Sequence, residues 1–327
     1  QMKSHKGMFS RMANSKRING RTETDTGFGN NGSAMGDRMI LPNGKSNITV
    51  EGRRHTFDGY YHSLLEISGM RFIGVLLLTI FILNIFFAYI YYLVGTHQIA
   101  GAVGVTSAER FEDAIFFSIQ TFSGLGYGRL NPMTITAGWI SSIEAIVGFM
   151  SIALFTGLLF TKFSMPIANL AFAKKALVAP YKDGRGLMVR ICPNKGNFFI
   201  DPEVAFTLMM PQQEENGSMA LKFYTLKVEM SKVSMLSTNW TIVHHIDETS
   251  PLFSLTKEDF ENLHGEVILN FKAFDHLYSN QVVTRISYTF DQIVYGAKFN
   301  MMYKRSDDGK RTILMLDKLS HFERVEV

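Results

Sequence analysis

The glycine-rich segment at residues 121–128, which reads TFSGLGYG, has the composition of a strand that can hold a cation through backbone oxygen atoms. Gly126 and Gly128 can adopt positive φ at little cost, which lets successive carbonyl groups point in one direction. A row of carbonyl oxygens can replace the water around a dehydrated cation. Glycine-rich turns are also common in ordinary loops, so the meaning of this segment depends on the elements that flank it.

Two long apolar segments flank this strand. Phe72–Val94 contains no Asp, Glu, Lys, Arg or His, and Ile140–Phe160 contains one charged residue, Glu144. At about 1.5 Å per residue, each segment is long enough to cross a hydrocarbon core of about 30 Å. We therefore predict two transmembrane helices. An acid inside a span is a functional candidate, and Glu144 is expected either to hydrogen-bond behind the glycine-rich strand or to face a cavity.

A short predicted helix leads from the first span into the strand. Thr106 and Glu109 form a capping-box pattern that opens this helix, which is expected to end near Phe122. The helix is too short to cross a membrane, and a re-entrant segment is tolerated only where protein buries it. The partial negative charge at its carboxyl end favours a cation just beyond it.

Basic residues predict the orientation of the spans. The connection at residues 95–139 contains only two Lys or Arg residues, Arg110 and Arg129, whereas the segment before the first span is rich in both residue types. The positive-inside rule then places both termini in the cytoplasm. We expect no cleavable signal peptide, because the start is polar and the first apolar run comes late. Gln1 suggests a fragment or a processed chain. The basic residues are Lys3, Lys6, Arg11, Lys16, Arg17, Arg21, Arg38, Lys45, Arg53, Arg54 and Arg71.

The predicted domain order has four parts. Residues 1–56 form a cytoplasmic arm, of which residues 39–50 are expected to add an edge strand to another domain. Residues 57–69 form an amphipathic helix on the membrane surface, where Arg53, Arg54 and Arg71 face anionic lipid. Residues 70–169 form the two-span pore domain. Residues 170–327 form a cytoplasmic β-sandwich.

The β-sandwich is predicted from short runs of strand-forming residues that turn signals separate. One short helix is expected at Thr256–Asn262. The predicted strands are residues 187–191, 203–208, 222–230, 240–243, 266–271, 282–288 and 311–316.

Composition narrows the function classes. The formal net charge is +4, but no nucleic-acid-reading motif accompanies it, so a nucleic-acid partner is not expected. Cys192 is the only cysteine, which excludes an intrachain disulfide and fits a reducing compartment. No nucleophile–base pair, phosphate loop or metal-ligand spacing is present in the sequence, so we predict no enzyme activity and no organic cofactor.

The chain resembles inward-rectifier potassium channels, and their prokaryotic branch most closely. The resemblance begins near Arg38 and includes the strand at residues 124–128, together with the patterns Glu248-Thr249-Ser250-Pro251-Leu252 and Arg285-x-Ser287-Tyr288. It also includes the pattern G-x-x-x-I-A-x-x-T-G-L-x-F at residues 148–160. The resemblance implies an α+β membrane protein with a re-entrant pore helix and filter, an immunoglobulin-like cytoplasmic domain and a homotetrameric pore in a bacterial inner membrane.

The same resemblance implies roles for particular residues. The family usually has Thr where this chain has Gly124, so potassium selectivity is expected but could be weakened. The position of the family's acidic cavity residue is Ile152, so strong rectification is not expected. The implied filter holds K⁺ as the only metal and consists of Gly124, Leu125, Gly126, Tyr127 and Gly128, supported by Thr121, Ser123 and Glu144. The implied gate is Phe160 and the implied hinge is Gly157. Further basic residues expected to face lipid are Lys162, Lys174 and Lys175.

Two other functions compete with a potassium channel. A poorly selective cation channel would follow from Gly124. A non-conducting, membrane-anchored β-sandwich receptor would use the spans only as a tether, and would need neither the glycine-rich strand nor tetramerisation.

Overall fold

The computed structural model describes residues 22–23, 38–49, 51–52, 57–166, 168–194, 198–213 and 219–326. The chain divides into two compact units. One comprises residues 51–165, and the other joins residues up to 50 to the chain from residue 166 onward. Arg53 and Arg54, which were predicted to face anionic lipid, lie outside the described residues.

The first unit is helical. Two of its helices are long and apolar enough to cross a membrane, as the sequence predicted. The second of these extends well beyond the apolar run, because Thr134 caps its start by accepting the Ala137 N–H at 3.2 Å. The helices are α1 Phe57–Glu66, α2 Gly69–Val94, α3 Ser107–Ser123 and α4 Ile135–Ser164; the two-residue strands β2 Ile99–Ala100 and β3 Asn131–Pro132 pair between them.

The second unit is a β-sandwich, which confirms the predicted fold class. Its strands are β1 Thr22–Glu23, β4 Leu170–Phe172, β5 Ala176–Tyr181, β6 Gly184–Pro193, β7 Phe199–Gln213, β8 Met219–Leu226, β9 Met235–Leu236, β10 Trp240–Ile246, β11 Glu266–Asp275, β12 Asn280–Thr289, β13 Ile293–Tyr295, β14 Ala297–Phe299, β15 Tyr303–Arg305, β16 Thr312–Leu314 and β17 Phe322–Arg324. One sheet has the order β1-β8-β7-β11-β12 with β9 beside β7, and the other has the order β10-β6-β5-β13 with β4 beside β6.

Alternation along the strands builds one core between the two sheets. Leu269 and Phe271 of β11 are buried in the same cluster as Val189 and Ile191 of β6, because residues two apart in a strand share a face. All seven predicted strand regions contain strands, and the predicted short helix is α5 Lys257–Asn262, capped by Thr256. The sequence prediction missed β5, whose Ala176–Ala179 run is buried without alternating polar residues.

The prediction that residues 39–50 add an edge strand is wrong. Among the described residues, those at 38–49 form no ladder with either sheet, and side chains hold them instead. The buried Glu266 carboxylate accepts the Met39 N–H at 2.7 Å and the Ile40 N–H at 3.1 Å. Arg285 donates to the Gly44 carbonyl oxygen at 2.9 Å. The edge strand comes from β1 instead, which pairs with β8.

Candidate functional site

The start of helix α3 is fixed by two acidic side chains. The predicted capping box is confirmed: the Glu109 N–H donates to Thr106 Oγ1 at 3.2 Å, and the Thr106 N–H donates to Glu109 Oε2 at 3.0 Å. The buried Asp113 carboxylate accepts the N–H groups of Val103 at 2.9 Å and Gly104 at 2.8 Å. These bonds tie the preceding loop to the helix and set the direction in which the helix points.

The end of α3 leads directly into the glycine-rich strand. Gly124 caps the helix in the left-handed conformation, with φ 71° and ψ 18°. Gly126 has φ 56° and Gly128 has φ 82°, which confirms the positive φ predicted for both. Every second residue of the strand is therefore a left-handed glycine, while Leu125 and Tyr127 between them are 55% and 73% exposed.

Gly124 has a conformational role that the sequence did not reveal. A Cβ atom at Gly124 would lie 3.5 Å from Phe149 Cζ, which is ordinary contact, so space does not exclude a larger residue. Its left-handed φ does disfavour one, above all a β-branched residue. Threonine, the residue usual in the family, would therefore be strained in this conformation.

The predicted supports Thr121 and Ser123 belong to the last turn of α3. Thr121 is half-buried. Ser123 is exposed, and its hydroxyl donates to the Ile119 carbonyl oxygen at 2.6 Å. The Ser123 hydroxyl therefore bonds to its own helix rather than to the strand.

Glu144 lies behind α3, where it joins three helices. Its side chain is fully buried, with 0% exposed. The Tyr91 hydroxyl of α2 donates to Glu144 Oε2 at 2.7 Å, and the Ser118 Oγ of α3 lies 2.5 Å from Oε1. Ser118 Oγ also lies 3.0 Å from the Asn84 carbonyl oxygen of α2. Glu144 is therefore hydrogen-bonded between the helices, through contacts with α2 and α3. The partners were missed by sequence reasoning, although Asn84 is a visible polar residue in an apolar span.

Gly148 brings the backbone of α4 against the end of α3. A Cβ atom at this position would lie 2.2 Å from the Phe122 carbonyl oxygen and 3.0 Å from its carbon. Those neighbours are backbone atoms, which cannot move aside as a side chain can. Only glycine fits here, and the sequence showed Gly148 merely as part of a family pattern.

The carboxyl-terminal half of α4 has an exposed face. Ile152, Thr156 and Phe160 follow at intervals of four residues, and all three are exposed, Phe160 by 73%. Gly157 has open space around the position where a Cβ would be. Within one chain, therefore, the predicted cavity, hinge and gate positions do not serve to pack the helix bundle.

Lys162 is placed differently from the prediction that it faces lipid. It is half-buried, and its ammonium group donates to the carbonyl oxygens of Leu65 and, at 2.7 Å, Ile67. It also stands 6.0 Å from the centroid of the Phe72 ring. Lys162 thus satisfies the carbonyl end of α1, where a cation is favourable. Arg71, Lys174 and Lys175 are exposed.

Helix α1 is attached to the spans by its apolar side. Leu65 is buried with Phe72 and Leu76 of α2, and Leu158 of α4 packs against this cluster. Tyr60 is 66% exposed on the other side. The helix is therefore two-sided, as predicted, although the side chains of Phe57, Asp58 and His62 lie outside the described residues.

The adjacent histidines of β10 have separate environments. His244 is buried, with Nδ1 2.7 Å from the Lys227 carbonyl oxygen and Nε2 2.8 Å from Ser250 Oγ. His245 lies 3.4 Å from the Asp183 carboxylate. Burial lowers the pKa of His244 below its usual value. Within the part of the chain that the structure describes, no cluster of three or more His, Cys, Asp or Glu residues could hold a metal ion.

Comparison with known proteins covers both units. Residues 77–165 match the family model "Ion channel", and residues 170–327 match "Inward rectifier potassium channel C-terminal domain". Inward rectifier potassium channel Kirbac3.1 of Paramagnetospirillum magnetotacticum is 28% identical over 84% of this chain and 92% of its own length. Human inward rectifier potassium channel 18 is 27% identical over 60% of this chain. Mouse ATP-sensitive inward rectifier potassium channel 12 is likewise 27% identical over 60%.

The chain spans about half the length of those two mammalian relatives, 47% and 48% respectively. It spans nearly all of the bacterial one. The family consists of ion channels and not of enzymes. Since the spans and the sandwich each match a channel model, this chain is a potassium channel that belongs to the inward-rectifier family.

Proposed function

We propose that this channel conducts K⁺ as a homotetramer, with the carbonyl groups of Gly124, Leu125, Gly126 and Tyr127 from four chains lining one axis and Gly128 closing the strand on the outer side. One strand can line only part of a pore, so several copies around an axis are required. The observation that carries this proposal is the alternation of left-handed glycines directly after α3, between two spans.

The proposed orientation follows from charge. Both termini lie in the cytoplasm of a bacterial cell whose inner membrane holds the spans, because basic residues are concentrated before the first span. In this arrangement residues 1–56 form the arm, 57–69 the interfacial helix, 70–169 the pore domain and 170–327 the cytoplasmic domain.

Selectivity depends on how rigidly the strand is held. Gly124 offers a carbonyl but no hydroxyl to the innermost ion, and we expect weaker discrimination against Na⁺ than a threonine would give. Thr121 and Glu144 support the strand from α3 and α4, whereas the Ser123 hydroxyl is already bonded to the Ile119 carbonyl oxygen of α3. Ile152, one of the exposed positions of α4, is proposed to face the cavity of the pore. Because its side chain carries no negative charge that could hold a blocking cation, strong rectification by cytoplasmic cations is not expected.

The proposed gate lies at the cytoplasmic end of α4. Phe160 is exposed in the single chain. Four phenyl rings near the axis would form a constriction without polar groups, and such a constriction stops ions when water leaves it. Gly157, one turn earlier, supplies the hinge.

Helix α1 and the basic residues supply the proposed link to the membrane. Arg53, Arg54, Arg71, Lys174 and Lys175 bind anionic lipid, each contributing about 1 kcal/mol near a charged surface. Lys162 is the exception, because its ammonium group already binds the end of α1. Lys162 is two residues after Phe160 in α4, so a movement of α1 on the membrane surface would also move the part of α4 that carries the gate.

Flux through purified protein in liposomes that contain anionic lipid tests the proposal, with K⁺ and Na⁺ measured separately and barium added. Barium fits a K⁺ site with twice the charge and should stop the flux. Phe160→Ala and Phe160→Ser should raise K⁺ flux per intact tetramer while barium still blocks.

The competing functions give different results. Equal K⁺ and Na⁺ flux that barium blocks would indicate a poorly selective cation channel. No flux of either ion through intact tetramers would favour the non-conducting receptor. Flux that persists unchanged in millimolar barium would contradict the proposed carbonyl filter.

A further inference from the structure

The hydrogen count around Glu144 carries an inference about its chemical state. Ser118 Oγ has one hydrogen, yet it lies near three oxygen atoms: Glu144 Oε1 at 2.5 Å, the Asn84 carbonyl oxygen at 3.0 Å and Asn84 Oδ1 at 3.4 Å. Both Asn84 atoms are carbonyl oxygens, of the backbone and of the side-chain amide, and such oxygens only accept, so Ser118 must be the donor in its contact with Asn84. Both contacts are then full hydrogen bonds only if the Glu144 carboxyl group donates to Ser118.

The described contacts of Glu144 include no positive charge. Its partners are the Tyr91 hydroxyl of α2 and the Ser118 hydroxyl of α3, both of which are uncharged. In the described part of the chain, no Lys, Arg or His side chain forms an ion pair with Glu144. Asp113, the other buried carboxylate of this unit, bonds to the N–H groups of Val103 and Gly104 in the preceding loop. An unpaired buried charge is costly, and within a membrane it is rare.

We propose that Glu144 is a neutral positioning residue, a protonated acid that accepts from Tyr91 and donates to Ser118, and so holds α3 against both spans. The hydrogen bonds then run in one direction, from Tyr91 to Glu144, from Glu144 to Ser118, and from Ser118 to Asn84. Ser118 lies six residues before Gly124. Fixing Ser118 therefore fixes the end of α3, from which the glycine-rich strand starts. This role rests on the proposed carbonyl filter.

The opposite reading treats Glu144 as an ionised group that attracts cations through its negative charge. The isosteric amide separates the two readings, because its NH2 group can donate to Ser118 and its carbonyl oxygen can accept from Tyr91, while it carries no charge at any pH. Leucine removes both hydrogen-bonding functions while keeping a similar volume. Tyr91→Phe and Ser118→Ala each remove one partner without touching the acid.

The experiment uses the full chain in liposomes and measures the K⁺-over-Na⁺ flux ratio and barium block per intact tetramer. Glu144→Gln should match the wild type within about twofold. Glu144→Leu should lower the flux ratio about tenfold, as expected when buried hydroxyl groups lose their partners. Tyr91→Phe and Ser118→Ala should give smaller losses. A Glu144→Gln protein as impaired as Glu144→Leu would overturn the proposal.

Infrared spectroscopy provides a second readout that needs no conduction. A protonated carboxyl group has a C=O stretch distinct from that of a carboxylate, so the difference spectrum of wild type minus Glu144→Gln should contain the acid band near neutral pH. A carboxylate band there would refute the neutral state. If wild-type protein shows the acid band but no barium-sensitive flux, the filter proposal fails while the assignment of a neutral Glu144 stands.

Discussion

The sandwich and the helical unit bury their apolar side chains in opposite ways. In the sandwich, large residues such as Phe206, Leu269 and Phe271 are enclosed between two sheets. In the helical unit, Leu77 and Phe81 of the first span are each more than half exposed, and the buried clusters are small. The sandwich encloses its core within a single chain, whereas the helical unit leaves much of its apolar surface exposed.

This difference changes what stabilises each unit. Removal of apolar surface from water drives the folding of the sandwich. Within a bilayer, lipid tails are as apolar as the side chains, so helices associate through close packing of small residues and through hydrogen bonds. Gly148 against the Phe122 backbone and Glu144 between Tyr91 and Ser118 are contacts of these two kinds. The helical unit should therefore be sensitive at a few positions, and the sandwich throughout its core.

The largest expected effect is the loss of a core side chain from the sandwich. Phe271→Ala should destabilise that unit by about 4 kcal/mol, because it leaves a cavity between the sheets. Phe274→Ala is the matched control on the same strand, since Phe274 is 41% exposed where Phe271 is 0% exposed, and it should cost about 1 kcal/mol or less.

The two tryptophans allow this measurement on the full chain. Trp139 belongs to α4 and Trp240 to β10, so a Trp139→Phe background leaves one fluorescent reporter in the sandwich. Denaturant midpoints of the two alanine variants then give the difference. Equal midpoints for Phe271→Ala and Phe274→Ala would show that the enclosed core is not what stabilises this unit.

The next largest effect is expected from a single methyl group in the helical unit. Gly148→Ala places a Cβ 2.2 Å from a backbone oxygen and should destabilise the assembled channel by about 2–3 kcal/mol. Gly138→Ala makes the same change in the same helix, where a Cβ meets nothing within 4 Å. The yield of intact tetramer after purification measures both. Similar yields would mean that α3 and α4 approach less closely than described.

A smaller effect is expected at Gly124, where the left-handed backbone favours glycine but a threonine hydroxyl would favour K⁺ binding. Gly124→Thr and Gly124→Ala should both lower tetramer stability by about 1–2 kcal/mol, because both hold a side chain at φ 71°. Only threonine adds a hydroxyl, so only Gly124→Thr should keep or raise the K⁺-over-Na⁺ flux ratio. Loss of selectivity in Gly124→Thr, or an equal gain in Gly124→Ala, would contradict the assigned role.

The smallest effect concerns pH and distinguishes two neighbouring residues of the sandwich. Burial lowers the pKa of His244 below 6.5, so the unfolded chain takes up a proton that the folded sandwich does not. The contribution of neutral His244 to the free energy of unfolding of the sandwich is therefore complete above about pH 6.5 and decreases as the pH falls below that value. The denaturant midpoint of the sandwich, followed by Trp240 fluorescence, should therefore fall with pH in the wild type. His244→Gln should make this midpoint less dependent on pH, while His245→Gln should keep the wild-type dependence. An unchanged slope in His244→Gln would exclude this residue as its source.

Local patterns were sufficient to predict the elements of both units. The lengths of the apolar runs predicted two spans, and the spacing of Thr106 and Glu109 predicted the start of α3. Runs of strand-forming residues between turn signals predicted the six longest strands of the sandwich, but not most of its short ones. These features depend on residues a few positions apart, because helix caps and strand faces are set by the local backbone. Positive φ at Gly126 and Gly128 was predicted for the same reason.

Tertiary structure decided the partners of individual side chains. The sequence presents Glu144 as an isolated acid, and its contact with Tyr91 joins residues that are 53 positions apart. Lys162 was expected to face lipid, but packing brings it to carbonyl groups 95 and 97 positions earlier. Local spacing carries no information about such contacts, because they form only when the helices that carry them pack together. The sequence alone thus determined a two-span channel with a sandwich domain, while the packing of α2, α3 and α4 determined how α3 is held.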